Sequence, residues 1–302
     1  MYDLGQMKTG LLNPNEAIWE LHSKLSRLMF NRNDEPIPER DWDNLLLLDA
    51  CRYDIFEDAN TLSGNLEKYY SVASNTSEYV VKTFRGEKYP EMVCVTATPK
   101  YYKPNVEDSF HDVIHVWKDD WDEEYGTVLP EVMNERVLEV TKKYPNKRIL
   151  AHYIPPHQPF IGETGQSIPH GGKFSGGVRE YDIDDPNIWD ALREGKYDKN
   201  KVWKAYLENL KITLPAINKI LEKLQGKTVV TSDHGNVFGN VSEFNLIGHP
   251  SRRHIKPLIE VPWLVNQNGD RKTIERGHIG DMSEDMDDTE VQERLTDLGY
   301  LE

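Results

Sequence analysis

Two apolar runs in this chain stop at residues that bind metals. Leu45 to Leu48 lead directly into Asp49, and Thr228-Val-Val-Thr-Ser232 leads into Asp233-His234-Gly235. A core strand does not end on a charge without a reason, and carboxylates with an imidazole make a divalent-cation site. Thr76, in Ser74-Asn75-Thr76, precedes a helical stretch. A hydroxyl there sits beside backbone N–H groups that stabilise anions, and a nearby cation makes its proton easier to lose, which gives a nucleophile. His157, in Pro-Pro-His-Gln-Pro-Phe, and His249, in Gly-His-Pro, are candidates for general acid or base, or for holding a second metal. Arg52 is a candidate to grip an oxyanion bidentately. Each residue also has a plainer use. Asp49 and Thr76 could cap helices, Asp233-His234 could form a turn, His157 and His249 could stiffen loops, and Arg52 could pair with Asp54. His152, His170 and His254 read as structural or solvated.

The elements that must position these residues follow from pattern. Four leucines without alternation indicate a strand buried on both faces, as in a parallel sheet, and such sheets bind ligands at the carboxyl ends of their strands. Further strands are expected at 66–72, 92–96, 113–117, 148–154, 228–232 and 261–265. Helices are expected at 14–30, 52–58, 77–84, 130–143 and 200–225, the last kinked at Pro215. Strands alternating with helices at this spacing predict an α/β fold: a three-layer sandwich around a mostly parallel sheet. Residues 163–198, rich in Gly, Asp and Pro, read as a lid or inserted loop. Residues 1–43 read as an N-terminal helix and connector. Residues 44–302 read as one catalytic domain with an acidic tail, whose last helix docks by Val291, Leu295 and Leu298.

Taken in order, Leu-Leu-Leu-Asp-Ala-Cys-Arg-Tyr-Asp (46–54), Ser-Asn-Thr (74–76), His-Gln-Pro-Phe (157–160), Thr-Ser-Asp-His-Gly-Asn (231–236), Gly-His-Pro (248–250) and Leu-Gly-Tyr (298–300) resemble the sulfatase-like branch of the alkaline phosphatase superfamily. The likeness spans about 44–300. It implies that Asp49, Thr76, Asp233 and His234 bind one divalent cation, that Thr76 is the nucleophile, and that His157 and His249 surround the transferred group. It also implies transfer or hydrolysis of phosphate, phosphonate or sulfate esters through a covalent intermediate. Two features depart from the pattern. Neither Cys51 nor Cys94 opens the Cys-x-Pro-x-Arg motif that sulfatases convert to formylglycine, so the threonine matches the phosphodiesterases and the phosphoethanolamine or glycerophosphate transferases. Two-metal relatives carry an Asp in the helix before the Asp-His strand; the expected place holds Thr213 or Leu214. One cation is therefore expected, with the second site incomplete. The ligand types favour Zn²⁺, then Mn²⁺, with Ca²⁺ the poorer fit. The incomplete site also leaves a non-catalytic binding or assembly module as the alternative.

The chain has 302 residues, with 36 basic and 51 acidic side chains and a net charge of −15. That charge argues against nucleic acid and anionic lipid as partners, and for a small anionic ester, such as a glycan or lipid head group, bound by a local field. No apolar run is long enough to span a bilayer, the first ten residues do not read as a signal peptide, and the two cysteines form no disulfide framework. These features predict a cytoplasmic protein. Oligomeric state is not encoded in the motifs.

Overall fold

The structure is a computed structural model and describes residues 36–168, 173–175, 178–180, 187–279 and 288–298, together with Trp19 and Leu25. The expected helix at 14–30 (apart from those two residues), His170 and the Gly-Tyr of the terminal motif lie outside the described residues.

The strands are β1 (Asn44–Leu48), β2 (Asn65–Tyr70), β3 (Tyr89–Thr96), β4 (Phe110–His115), β5 (Arg148–Tyr153), β6 (Lys173–Ser175), β7 (Val178–Glu180), β8 (Gly226–Thr231), β9 (Val237–Phe238), β10 (Ile247–Gly248) and β11 (Glu260–Asn268). Seven of them form one sheet in the order β2-β11-β8-β1-β5-β3-β4. The run from β8 to β4 is parallel, and β11 is antiparallel to both its neighbours. β6 with β7, and β9 with β10, form separate two-stranded pairs.

The leucines of β1 show why the sequence there lacks alternation. Leu46 and Leu48 enter one core with Val93, Val95, Ile149 and Val230, covered by the helices at Pro130–Lys143 and Lys199–Leu221. Leu45 and Leu47 enter the other with Cys94, Leu150 and Val229, covered by Tyr79, Val80 and Phe84 of the Thr76–Phe84 helix. Helices on both faces of a mostly parallel sheet make the three-layer sandwich that the pattern predicts.

Three local features bear on the sequence reading. The Lys199–Leu221 helix continues through Pro215 without a break. The 163–198 segment is not all loop: its helix Ile188–Arg193 buries Ile188, Trp189, Ala191 and Leu192. The last helix, Asp288–Asp297, packs Val291 against the core and is followed by fully buried Leu298. Among the described residues, no helix is long and apolar enough to cross a membrane.

Candidate metal centre and active site

β8, β1 and β5 are adjacent and parallel, so their carboxyl ends converge. Asp49 follows β1, Asp233 and His234 follow β8, and His152 lies in β5 opposite Leu47 of β1. All four are fully buried, and Thr76 nearly so. The threonine is the first residue of its helix. The cap is Asn75, whose side chain accepts from the backbone N–H of Glu78 at 2.8 Å. The Thr76 hydroxyl therefore has no capping work and faces the cluster. Its Oγ1 lies 3.3 Å from both carboxylate oxygens of Asp49 and 3.1 Å from Nε2 of His234. His234 Nε2 is also 3.4 Å from Asp49 Oδ1 and 3.4 Å from Asp233 Oδ2. The structure thus brings together Asp49, Thr76, Asp233 and His234.

The backbone around this cluster is fixed tightly. Asp233 Oδ1 accepts from the N–H groups of Ala50 (3.2 Å) and His234 (2.9 Å), which leaves Oδ2 turned to the centre. Ala50 holds a left-handed φ of 58°, a conformation that costs a non-glycine residue about 1 kcal/mol or more. Tyr206 fastens it by donating its hydroxyl to the Ala50 carbonyl at 2.5 Å. Gly235 completes the Asp-His-Gly motif for a packing reason: a Cβ there would meet the Pro257 carbonyl oxygen at 2.0 Å.

His152, read from the sequence as structural, belongs to this centre. Its Nε2 lies 3.7 Å from Asp49 Oδ2 and 3.9 Å from Asp233 Oδ2, and ligand atoms of Asp49, His152 and Asp233 all fall within 4.8 Å of one another. The signal available in the sequence was a histidine inside an apolar strand, Arg-Ile-Leu-Ala-His-Tyr-Ile, next to the strand that ends in Asp49. His152 Nε2 and Asp233 Oδ2 are buried without a hydrogen-bond partner. Separations of 3.4–3.9 Å are long for hydrogen bonds and short enough for ligands that each stand roughly 2.0–2.2 Å from a shared ion. The residues therefore fit a divalent cation.

Charge points the same way. Burial alone would raise the Asp49 carboxyl, but the surrounding imidazoles of His157, His234 and His152, with the His234 contact a hydrogen bond, outweigh it and hold Asp49 well below the carboxylate range. Burial opposes a charge on His234, yet Asp233 and Asp49 push its pKa up to about 9. Two buried carboxylates thus stabilise positive charge between them.

His157 and His249 form a second pair, with their Nε2 atoms 3.0 Å apart. His157 is fully buried and His249 half-buried. Burial pushes both below the ordinary histidine value, and the charges of His157 and His234 push His249 further. The His157 loop hangs on Asn209 of the long helix. The Asn209 amide donates to the carbonyls of Pro156, His157 and Pro159 at 3.2, 2.9 and 3.3 Å and accepts from the Ile161 N–H at 2.9 Å. The sequence reading looked for an Asp at Thr213 or Leu214; the Thr213 hydroxyl only donates back to the Asn209 carbonyl, at 2.8 Å. Trp189 meets both histidine rings edge-on, at 6.4 and 6.2 Å.

Arg52 does not do what was expected of it. Its guanidinium donates to Asp54 through Nε (2.8 Å) and Nη2 (2.5 Å), and through Nη1 to Glu243 (2.8 Å) and the Asn236 carbonyl (3.2 Å). With its donors committed, it ties the loop after β8 to the start of the Tyr53–Ala59 helix rather than gripping an oxyanion. His254 lies 3.7 Å from Glu78, away from the cation cluster.

No protein-family model matches the sequence, and no curated protein matches it. Solved structures do. Lipooligosaccharide phosphoethanolamine transferase A (EptA) of Neisseria meningitidis, an integral membrane protein, is 13% identical over 78% of this chain and 49% of its own, with a TM-score of 0.50. The C-terminal periplasmic domain of phosphoethanolamine transferase EptC of Campylobacter jejuni is 13% identical over 74% of this chain and 77% of its own, also at 0.50. A Vibrio parahaemolyticus protein of the alkaline phosphatase superfamily is 12% identical over 83% and 69%, at 0.42. This chain spans about half the length of the Neisseria transferase. The expected cytoplasmic location is corrected by these matches: the Campylobacter domain that shares the fold is periplasmic. The chain has the fold of the phosphoethanolamine transferase domains.

Proposed function

We propose that this protein is a metal-dependent hydrolase or transferase of phosphate esters that works through a phosphothreonine on Thr76. The observation that carries the reading is the buried Thr76 hydroxyl at a helix N-terminus, 3.1–3.3 Å from His234 and both oxygens of Asp49. Asp49, Asp233, His234, Thr76 and His152 would hold one divalent cation, Zn²⁺ fitting best and Mn²⁺ next. When bound, that ion polarises the phosphoryl oxygens and lowers the pKa of the threonine.

The other steps belong to the chain. The Thr76 hydroxyl gives up its proton to Asp49 and attacks phosphorus in line. The N–H groups of the first helical turn that the Asn75 cap does not take up receive the phosphoryl oxygens. The bond to the leaving oxygen breaks, and that oxygen takes a proton from the imidazolium form of His249 or His157, which leaves that ring neutral. A water or an acceptor alcohol then loses its proton to the same histidine and attacks phosphorus, and Thr76 leaves as it takes its proton back from Asp49. His157 Nδ1 donates to the Gln158 carbonyl at 2.6 Å, which leaves its Nε2 to exchange protons with His249. The named transferases move phosphoethanolamine; on that analogy the substrate is a small anionic ester, a glycan or lipid head group.

Thr76→Ala should abolish turnover of p-nitrophenyl esters of phosphate and phosphodiester, while most cation binding survives on the other ligands. Acid-quenched wild type should carry phosphate on the peptide containing Thr76. Turnover undiminished in Thr76→Ala would remove the threonine as nucleophile.

A further inference from the structure

Tyr101 was singled out by no motif, yet its side chain is fully buried and its hydroxyl lies 3.1 Å from Nδ1 of His152. It arrives at the end of a short turn after β3. There Thr98 caps the Pro99–Tyr101 helix, and Thr96 pairs in register with His152. Phe84 of the Thr76 helix and Phe110 of β4 pack on its ring at 5.8 and 6.2 Å, which fixes where the hydroxyl stands.

The chemistry of this contact differs from that of the neighbouring histidines. Nδ1 of His157 and of His234 each meets a backbone carbonyl, at 2.6 and 2.7 Å. A carbonyl only accepts, so those rings carry their proton on Nδ1. A tyrosine hydroxyl donates or accepts, so His152 is free to take either tautomer. With Tyr101 donating, the ring proton sits on Nε2, facing Asp49 and Asp233 across 3.7 and 3.9 Å, too far for a good hydrogen bond. With Tyr101 accepting from Nδ1–H, the Nε2 lone pair faces the two carboxylates, an arrangement that is favourable only with a cation between them.

We propose that Tyr101 is a positioning residue for the cation centre: its hydroxyl accepts from His152 Nδ1 and so presents the His152 Nε2 lone pair as a ligand beside Asp49 and Asp233. This rests on the reading that these residues share a cation. Phenylalanine at this position keeps the packing and removes only the partner of Nδ1. Losing such a partner of a ligating histidine lowers metal affinity by about 10–100-fold.

The test is calorimetric titration of the chelator-stripped full chain with Zn²⁺ and Mn²⁺, in wild type, Tyr101→Phe, His152→Ala and Asp49→Asn, with folding checked by circular dichroism. The expected result is about a 10–100-fold weaker Kd for Tyr101→Phe, a loss at least as large for His152→Ala, and near-complete loss for Asp49→Asn. Wild-type affinity in Tyr101→Phe with weakened binding in His152→Ala overturns the role of Tyr101 alone. Wild-type affinity in both removes His152 as a ligand and the proposal with it. Wild type and Asp49→Asn binding equally poorly would overturn the cation reading itself. Nitrogen NMR of His152 in the Zn²⁺-loaded wild type needs no variant to fold: a protonated Nδ1 is expected, and a protonated Nε2 overturns the proposal.

Discussion

Stripping the cation should make the stability of this protein depend on pH in a way the loaded protein does not share. In the folded chain the His234 pKa is raised from 6.5 to about 9 by the Asp233 and Asp49 carboxylates, against the cost of burial. That rise corresponds to about 3 kcal/mol. Between those values the folded state holds a proton on His234 that the unfolded chain has lost, so stability falls as pH rises. The contribution is complete below pH 6.5 and gone above about 9. With an unfolding entropy of roughly 2.1 cal/mol/K per residue, about 3 kcal/mol moves the Tm of a chain this long by about 5 °C. A divalent cation bound as proposed would take the place of that proton, so the loaded protein should show a flat profile over the same window. Thermal melts from pH 6 to 10, with chelator and with Zn²⁺, read both curves. Parallel curves would refute the reasoning, because they would mean that proton and cation do not compete for Nε2 of His234. The same melts on His234→Gln should lose the slope in the stripped protein.

Two further perturbations separate structure from chemistry. Arg52→Ala should cost about 3 kcal/mol by leaving buried Glu243 without its cation, while cation affinity and the rate per folded molecule stay within a few-fold of wild type; a selective fall in kcat with unchanged stability would return Arg52 to the active site. Gly235→Ala should destabilise by about 1–3 kcal/mol or more, because the new Cβ must displace the Pro257 carbonyl, and a denaturant titration with no shift in midpoint would show that the loop yields freely.

Much of the centre was legible because the parallel strands end where their apolar runs end. Asp49 and Asp233-His234 mark the ends of adjacent strands, and a sheet of this kind must bring them together. Thr76 was placed by its turn and helix, although the cap proved to be Asn75. Residues that act through folded neighbours were harder to read. His152 looks in sequence like one polar residue in a strand; only the strand order puts it beside Asp49. Asn209 works by its reach to three carbonyls of a loop some 50 residues away, and no local pattern announces such a contact. Arg52 runs the other way: its guanidinium made it a candidate to grip an anion, but Asp54, the partner the sequence also offered, and Glu243, far along the chain, take its donors. Trp189 was hidden in a polar stretch whose composition suggested a loop, since only a few apolar residues are needed to turn one short helix inward.

The charge inside the site also bears on which ester the proposed reaction would take. Asp49 and Asp233 contribute two negative charges, which one divalent cation only balances. His157 and His249 are held below their ordinary range by burial, so at neutral pH they add no fixed positive charge, and Arg52 is spent elsewhere. What remains to attract an anion is the partial charge at the helix N-terminus and the ion's uneven field, inside a chain of net charge −15. That supply suits a phosphodiester, with one negative charge, better than a monoester near full ionisation, with two. A diester also leaves the phosphothreonine carrying its remaining alcohol, as phosphoethanolamine transfer would require. Bis-p-nitrophenyl phosphate should therefore exceed p-nitrophenyl phosphate in kcat/KM at pH 8, and lowering the pH towards 6, where the monoester loses a charge, should narrow the gap. A monoester preference that grows with pH would show that the site supplies more positive charge than these residues account for.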